Sequence, residues 1–243
     1  MNRHWDSFAA DLSWFVSDRK RIEVGPLSEP GAWRPSAAFS AIFPTLATLL
    51  GTAHTSAVSV DDEAFILFSW EGRDCVLSWL ARPPERAADG LYPPHRTLLS
   101  EFGGVTERGG EFEGQWLLNT NESLTVAEAS HDAAFLQDYA WAFEGVSGGI
   151  PIDMTAYYSI SREANGNDTL CHRVAGDVLM FAPDHSFNHV VPLDGCPDYT
   201  LYRINGAPGF VQWVEAVAKQ WMEAGARGGP TRGIWTPPVK RKA

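Results

Sequence analysis

No lysine or arginine occurs between Arg108 and Arg162, yet that stretch holds eight carboxylates: Glu111, Glu113, Glu122, Glu128, Asp132, Asp138, Glu144 and Asp153. It cannot neutralise itself through local ion pairs. Unless distant arginines cover it, it projects a negative field that favours a basic partner. It is either an acidic solvated face or a binding determinant. Cysteine is scarce as well. Cys75, Cys171 and Cys196 are odd in number and widely spaced, and read as reduced, mostly buried thiols rather than a disulfide frame or a zinc site. No run of about 18 apolar residues is present, so no membrane-spanning helix is expected. The start, Met1-Asn2-Arg3-His4-Trp5-Asp6, lacks the apolar core and small-residue cleavage site of a signal peptide. A cytoplasmic protein is the expectation.

What is present suits a dense core: 44% of the 243 residues are hydrophobic and ten are tryptophan. The net charge of −11 is unevenly spread. Arg227, Arg232, Lys240, Arg241 and Lys242 follow Ala226 with no acid among them. Nineteen basic residues less these five leave 14 against 30 acidic ones, so the body carries −16. Such a body repels phosphate backbones and argues against direct nucleic-acid binding. The Gly- and Pro-rich tail, 226–243, is too short to reverse this and is expected to be disordered.

Hydrophobic spacing predicts an amphipathic helix over 3–18, with Trp5, Phe8, Leu12 and Phe15 on one stripe, then a short strand at 22–24. A second helix over 36–50 contains Pro44, which predicts a kink or a late start there. Strands are expected at 57–60, 64–70 and 73–80, the last two forming a tight hairpin around Glu71-Gly72. Residues 82–89 form the best linker candidate. A short helix at 94–102 is stopped by Gly103-Gly104, a strand is expected at 116–118 and a helical turn at 123–130. Residues 133–143 fit neither helix nor strand clearly. Strands at 155–162 and 169–173 flank the turn Asn165-Gly166-Asn167-Asp168, and 178–181, 187–191 and 199–204 follow. Connections this short predict antiparallel neighbours. A last helix, 208–224, carries Phe210, Trp213, Val214, Val217 and Trp221 on one stripe.

Catalytic signals are weak by comparison. Gly145-Val146-Ser147-Gly148-Gly149 matches a nucleophile elbow, which would make Ser147 a hydrolase serine. That elbow needs a parallel strand before it and a helix after it, and Ile150-Pro151-Ile152 resists a helix. Asp184, His185, His189 and Asp194 cluster in sequence. On a strand, though, residues four apart stand roughly 13 Å from each other, too far for both histidines to hold one ion. Cys171 and His172 are adjacent and on a strand point to opposite faces. No catalytic residue, metal or cofactor is therefore expected.

Several soft motifs recur in a known order. The first is Gly90-Leu91-Tyr92-Pro93-Pro94-His95-Arg96-Thr97-Leu98-Leu99-Ser100-Glu101-Phe102-Gly103-Gly104. Next come Tyr157-Tyr158-Ser159-Ile160, then Asn165-Gly166-Asn167-Asp168, then Ala175-Gly176-Asp177-Val178. Last is Gly209-Phe210-Val211-Gln212-Trp213-Val214-Glu215. In this order, residues 89–222 resemble the SUKH superfamily, which includes bacterial toxin-immunity proteins and yeast regulators of cell-wall synthesis. The resemblance implies an α+β fold, a mainly antiparallel sheet with packed helices, over 89–225. Residues 1–88 would be an N-terminal helix and hairpin extension, either a subdomain or strands extending the same sheet. It also implies a non-catalytic protein that blocks a toxin, often a nuclease; a general regulatory or scaffold role on the same fold is the alternative. Nuclease surfaces are basic, so charge and resemblance converge on one partner class, a protein with a basic surface such as a toxin domain. The eight carboxylates of 111–153 are the candidate partner face.

Overall fold

The structure is a computed structural model that describes residues 2–12, 15–16, 19–72, 76–86, 89–110, 120–163, 166–184 and 189–227. The predicted strand at 116–118, Glu111, Glu113, Asn165, His185 and the tail beyond 227 lie outside the described residues. Among the described residues, eleven strands form one sheet: β1 (Ile22–Val24), β2 (His54–Val60), β3 (Glu63–Glu71), β4 (Val76–Ala81), β5 (Val105–Gly109), β6 (Thr120–Ser123), β7 (Tyr157–Glu163), β8 (Asp168–His172), β9 (Val178–Phe181), β10 (Val190–Pro192) and β11 (Leu201–Ile204). Each strand pairs with the next in antiparallel sense as far as β9. Only at the end does the order change, with β11 lying between β9 and β10. The fold is α+β, as predicted. β2 to β5 run on without interruption, so the N-terminal strands extend the same sheet. Among the described residues no helix is long and apolar enough to cross a membrane.

Both faces of the sheet are covered, and strand alternation explains how. In β9, Val178 and Met180 enter one core while Leu179 and Phe181 enter another. The first face packs under α2 (Ala37–Ile42), α3 (Pro44–Gly51), α4 (Pro93–Leu99) and α6 (Phe210–Arg227). At its centre Trp79 meets Trp221 at 5.1 Å and Trp70 at 5.2 Å between ring centroids. The predicted interruption at Pro44 falls on Phe43, whose φ of −124° and ψ of 64° separate α2 from α3. Glu215 of α6 then accepts the free amides of Thr45 (2.9 Å) and Leu46 (3.1 Å), so one helix caps another.

On the second face, α1 (Arg3–Asp11) presses Trp5 and Phe8 onto Val58, Phe65, Leu67 and Leu80. It stops at Asp11 and not at residue 18, and the Asp11 carboxylate accepts the Gly110 amide at 2.7 Å, which ties its end to β5. Over β7, β8, β9 and β11 lies a 3-10 helix, Ala133–Phe143, with Leu136 and Phe143 buried against Leu170, Phe181 and Leu201. β5 to β7 lie between these two covers, and there the second face is charged.

Gly103-Gly104 does more than stop α4. A Cβ on Gly103 would lie 2.1 Å from the Pro83 carbonyl oxygen, and one on Gly104 (φ +87°) would lie 2.5 Å from the Leu124 carbonyl carbon. The chain crosses itself there with no room for a methyl group. Gly104→Ala is expected to lower stability by more than about 2 kcal/mol in urea unfolding, from combined strain and overlap. Unchanged stability would contradict the crossing.

Candidate functional site

The charged strip begins where the chain leaves the ladder after β6. The Leu124 amide still bonds the Ile160 carbonyl at 2.7 Å, but Leu124 takes φ +62° and turns the chain away. The Thr125 hydroxyl caps a single helical turn, α5 (Val126–Ala129), by accepting the Glu128 amide at 3.0 Å. The chain then rejoins β7, the Ser159 amide bonding the His131 carbonyl at 2.9 Å. His95 of α4 holds the exit point. Its Nε2–H donates to the Leu124 carbonyl at 3.0 Å, which leaves Nδ1 to accept from the Tyr158 hydroxyl at 3.0 Å. Burial pushes this imidazole down to about 4, so it stays neutral. The excursion delivers Glu128 into the sheet, where its carboxylate accepts from Ser159.

A bulge in β7 supplies the other half. Ser159 faces Leu170 and Ser161 faces Thr169, so Ile160 is one residue too many. In a regular strand, residues 159 and 162 point to opposite faces; the extra residue puts both on the second face. Register partners confirm it, running from Phe181 through Asp168 and Arg162 to Glu122. Arg162 Nε bonds Asp168 Oδ2 at 3.1 Å, and its Nη2 lies 3.5 Å from Glu128 Oε1. Burial disfavours the guanidinium charge, but Glu128, Asp168 and Glu122 more than offset this and raise its pKa. Glu122 also accepts from the Thr125 hydroxyl at 2.6 Å.

Three carboxylates around one guanidinium leave a surplus of negative charge. The Ser159 hydroxyl lies 2.6 Å from Asp168 Oδ1 and also bonds Glu128. Its one hydrogen serves one acid at a time. Burial, opposed by Ser159 and Arg162 and helped by Glu128, pushes the Asp168 carboxyl up to about 7. Along the same face, burial and then Glu122 push Glu107 of β5 up to about 8. Ion pairs this deeply placed add little net stability, because desolvation cancels most of their attraction.

Above this cluster opens a cavity of about 550 Å³. Arg162, Gly166 and Asp168 line it from the β7–β8 hairpin, and Asp132, Phe135, Asp138 and Tyr139 from the 3-10 helix and its cap, together with Ser130 and His131. The second wall comes from the 3-10 helix, in which every third side chain eclipses about 6 Å further on. One row, Ala133, Leu136, Tyr139 and Ala142, packs into the core. The same spacing joins Asp132, Phe135 and Asp138, of which Phe135 packs edge-on against Phe181 at 5.7 Å; beyond a backbone kink at Tyr139 come Trp141 and the capping Glu144. Trp141 is 66% exposed, and all three acids face solvent.

The predicted partner-face residues thus fall into separate groups. Glu122 and Glu128 are turned inward and covered by Arg162, the distant arginine that the charge argument required. Asp132, Asp138 and Glu144 face solvent along the 3-10 helix and at its caps. Asp153 is exposed but stands apart as cap of the 3-10 turn Met154–Ala156; bonds from the Thr155 hydroxyl and amide hold its carboxyl below the usual range. Phe135, Trp141, Ser159, Arg162 and Asp168 belong to the site and were not foreseen. A search for period-three spacing would have found the first two.

Ser147 follows the 3-10 helix in a loop where Gly145, Gly148 and Gly149 all have positive φ. No strand leads into it and no helix follows it, so the elbow geometry is not formed. The Cys171 thiol is buried and pushed up to about 12, remote from thiolate chemistry. Among the described residues, no three His, Cys, Asp or Glu side chains group to hold a metal ion. The chain matches no protein-family model, no curated protein and no solved structure.

Asp168 makes stability depend on pH with a definite sign. An acid whose folded pKa is raised keeps its proton where the unfolded chain has lost it, so the folded state loses ground as pH rises from about 4 to about 7. Asp168→Asn removes that exchange and should gain on the wild type by up to about 1.4 kcal/mol per pH unit across this window. Glu107→Gln should gain in the same direction up to about pH 8. His95 has the opposite sign, but it is common to all three chains and cancels in the difference. Urea unfolding from about pH 5 to about pH 8 checks this; parallel curves for variant and wild type would contradict it.

Proposed function

We propose that this chain is a non-catalytic binding protein. Its partner is a protein with a basic surface, held against the exposed residues Asp132, Asp138, Trp141 and Glu144. The observation that carries the reading is Trp141, a large ring left 66% exposed between two solvent-facing acids, Asp138 and Glu144. Tryptophan is enriched among the residues that dominate interface energies. The flanking carboxylates face solvent, where they attract and orient a cationic surface. The finer reading follows the SUKH resemblance: an immunity protein of the cytoplasm that neutralises a basic toxin domain, with nucleases the fitting class because they must hold phosphates.

The test begins by capturing partners on the immobilised chain at low and high salt, then measuring the kinetics of the purified pair. The triple variant Asp132→Asn, Asp138→Asn, Glu144→Gln should slow association about tenfold and flatten its salt dependence. Trp141→Ala should leave association nearly unchanged and speed dissociation, costing about 2 kcal/mol or more. Co-expression should relieve toxicity of the captured protein. A partner whose binding ignores both variants would overturn the reading, and one that is harmless alone would overturn the toxin assignment.

A further inference from the structure

The sheet ends at β1 with main-chain groups still to satisfy. The Gly25 amide donates to the Ala57 carbonyl at 2.8 Å, and the Arg21 carbonyl accepts from the Asp61 amide at 2.9 Å. Residues 21, 23 and 25 therefore face β2, and alternation turns the amides and carbonyls of Ile22 and Val24 outward. Among the described residues, nothing bonds these outer groups. The opposite edge of the sheet is guarded: His189 and Leu193 bond β11, so the outward positions of β10 are Val190 and Pro192, and proline has no N–H. The side chains of β1 divide by face. Ile22 and Val24 are half-buried with Phe15 and Val16 in the apolar cluster under α1, while Arg21 and Glu23 face solvent on the other side.

We infer that β1 pairs with β1 of a second copy of this chain, antiparallel and two-fold about Ile22. The run Lys20-Arg21-Ile22-Glu23-Val24 is complementary to itself in that register. Ile22 exchanges both main-chain bonds with Ile22 of the second copy, and Arg21 of each copy stands opposite Glu23 of the other. A shift of two residues either way sets Glu23 against Glu23 or Arg21 against Arg21, and like charges directly opposite reject it. On the other face the two Ile22 side chains meet, which joins the two apolar clusters and supplies the burial. The exposed Arg–Glu pairs add little affinity and choose the register. Arg21 now pairs with Asp62 in a contact exposed on both sides, which is cheap to share. With β1 only three residues long and Pro26 just beyond it, the ladder is short, so the dimer is weak and forms as concentration rises. The 3-10 helix lies over β7, β8, β9 and β11, far from this edge, so the dimer presents two partner-binding patches.

Sedimentation equilibrium of the full chain should show a reversible monomer–dimer equilibrium. Amide hydrogen exchange at Ile22 and Val24 should slow as concentration rises, while Glu23, already bonded to β2, stays unchanged. Arg21→Glu and Glu23→Arg, both at solvent-facing positions, should each weaken the dimer about tenfold by setting like charges opposite at both pairs. Mixed in equal amounts, these two variants should form a heterodimer as tight as the wild type, because every like pair becomes an opposite one. Val24→Pro removes an outward N–H without touching a bond to β2 and should also weaken association. A chain that stays monomeric up to about 1 mM overturns the inference. So does a dimer that ignores both charge variants, or one whose variants fail to pair with each other. Edge amides that slow only when a captured partner is added would give this edge to the partner and overturn the self-pairing.

Discussion

Arg162 sits among Glu122, Glu128 and Asp168 because β7 carries one residue more than its neighbour β8. Without the bulge, the guanidinium would turn into the helix-covered core on the opposite face, and three carboxylates would share a half-buried strip with no counter-charge. A charge stranded in either place costs several kcal/mol. The α5 excursion, the neutral His95 that holds its exit and the glycine crossing at 103–104 all serve the same placement. They bring Glu128 and Arg162 to one spot on the second face, where the 3-10 helix closes over them.

This placement divides the acidic stretch in two. The inner acids are engaged by Arg162, Ser159 and Thr125. The outer ones, Asp132, Asp138 and Glu144, face solvent along the kinked 3-10 helix and at its two caps, with Trp141 exposed among them. A negative net charge by itself says only that a protein repels phosphate. An exposed tryptophan among solvent-facing acids says more, because it combines attraction at a distance with an apolar contact that slows release.

Much of the fold was legible in the sequence. Strand alternation and short turns gave the antiparallel sheet, Pro44 marked the break between α2 and α3, and the stripe from Phe210 to Trp221 marked the helix that packs on the tryptophan core. The site was legible only as a charge total. Glu128 and Asp132 look alike in a string of letters, and only the excursion after Leu124 sends one inward and leaves the other out. Straight alternation through β7 puts Arg162 on the wrong face, since an extra residue in a strand leaves no mark on its composition. The segment 133–143 was ambiguous for a physical reason: its period is three, between the two of a strand and the 3.6 of an α-helix. Gly103-Gly104 read as a helix stop because nothing local announces that Leu124 and Pro83 cross there.

The central claim is that one outward row, and not the acidic composition as a whole, meets the partner. Carboxyl and tryptophan footprinting of the chain, alone and in complex with its captured partner, tests this most directly. The account predicts protection at Asp132, Asp138, Trp141 and Glu144, with Asp153, beyond the row, still reactive in the complex. Protection centred on the other end of the sheet, around α1 and β1, with Trp141 still open to reagent, would contradict it.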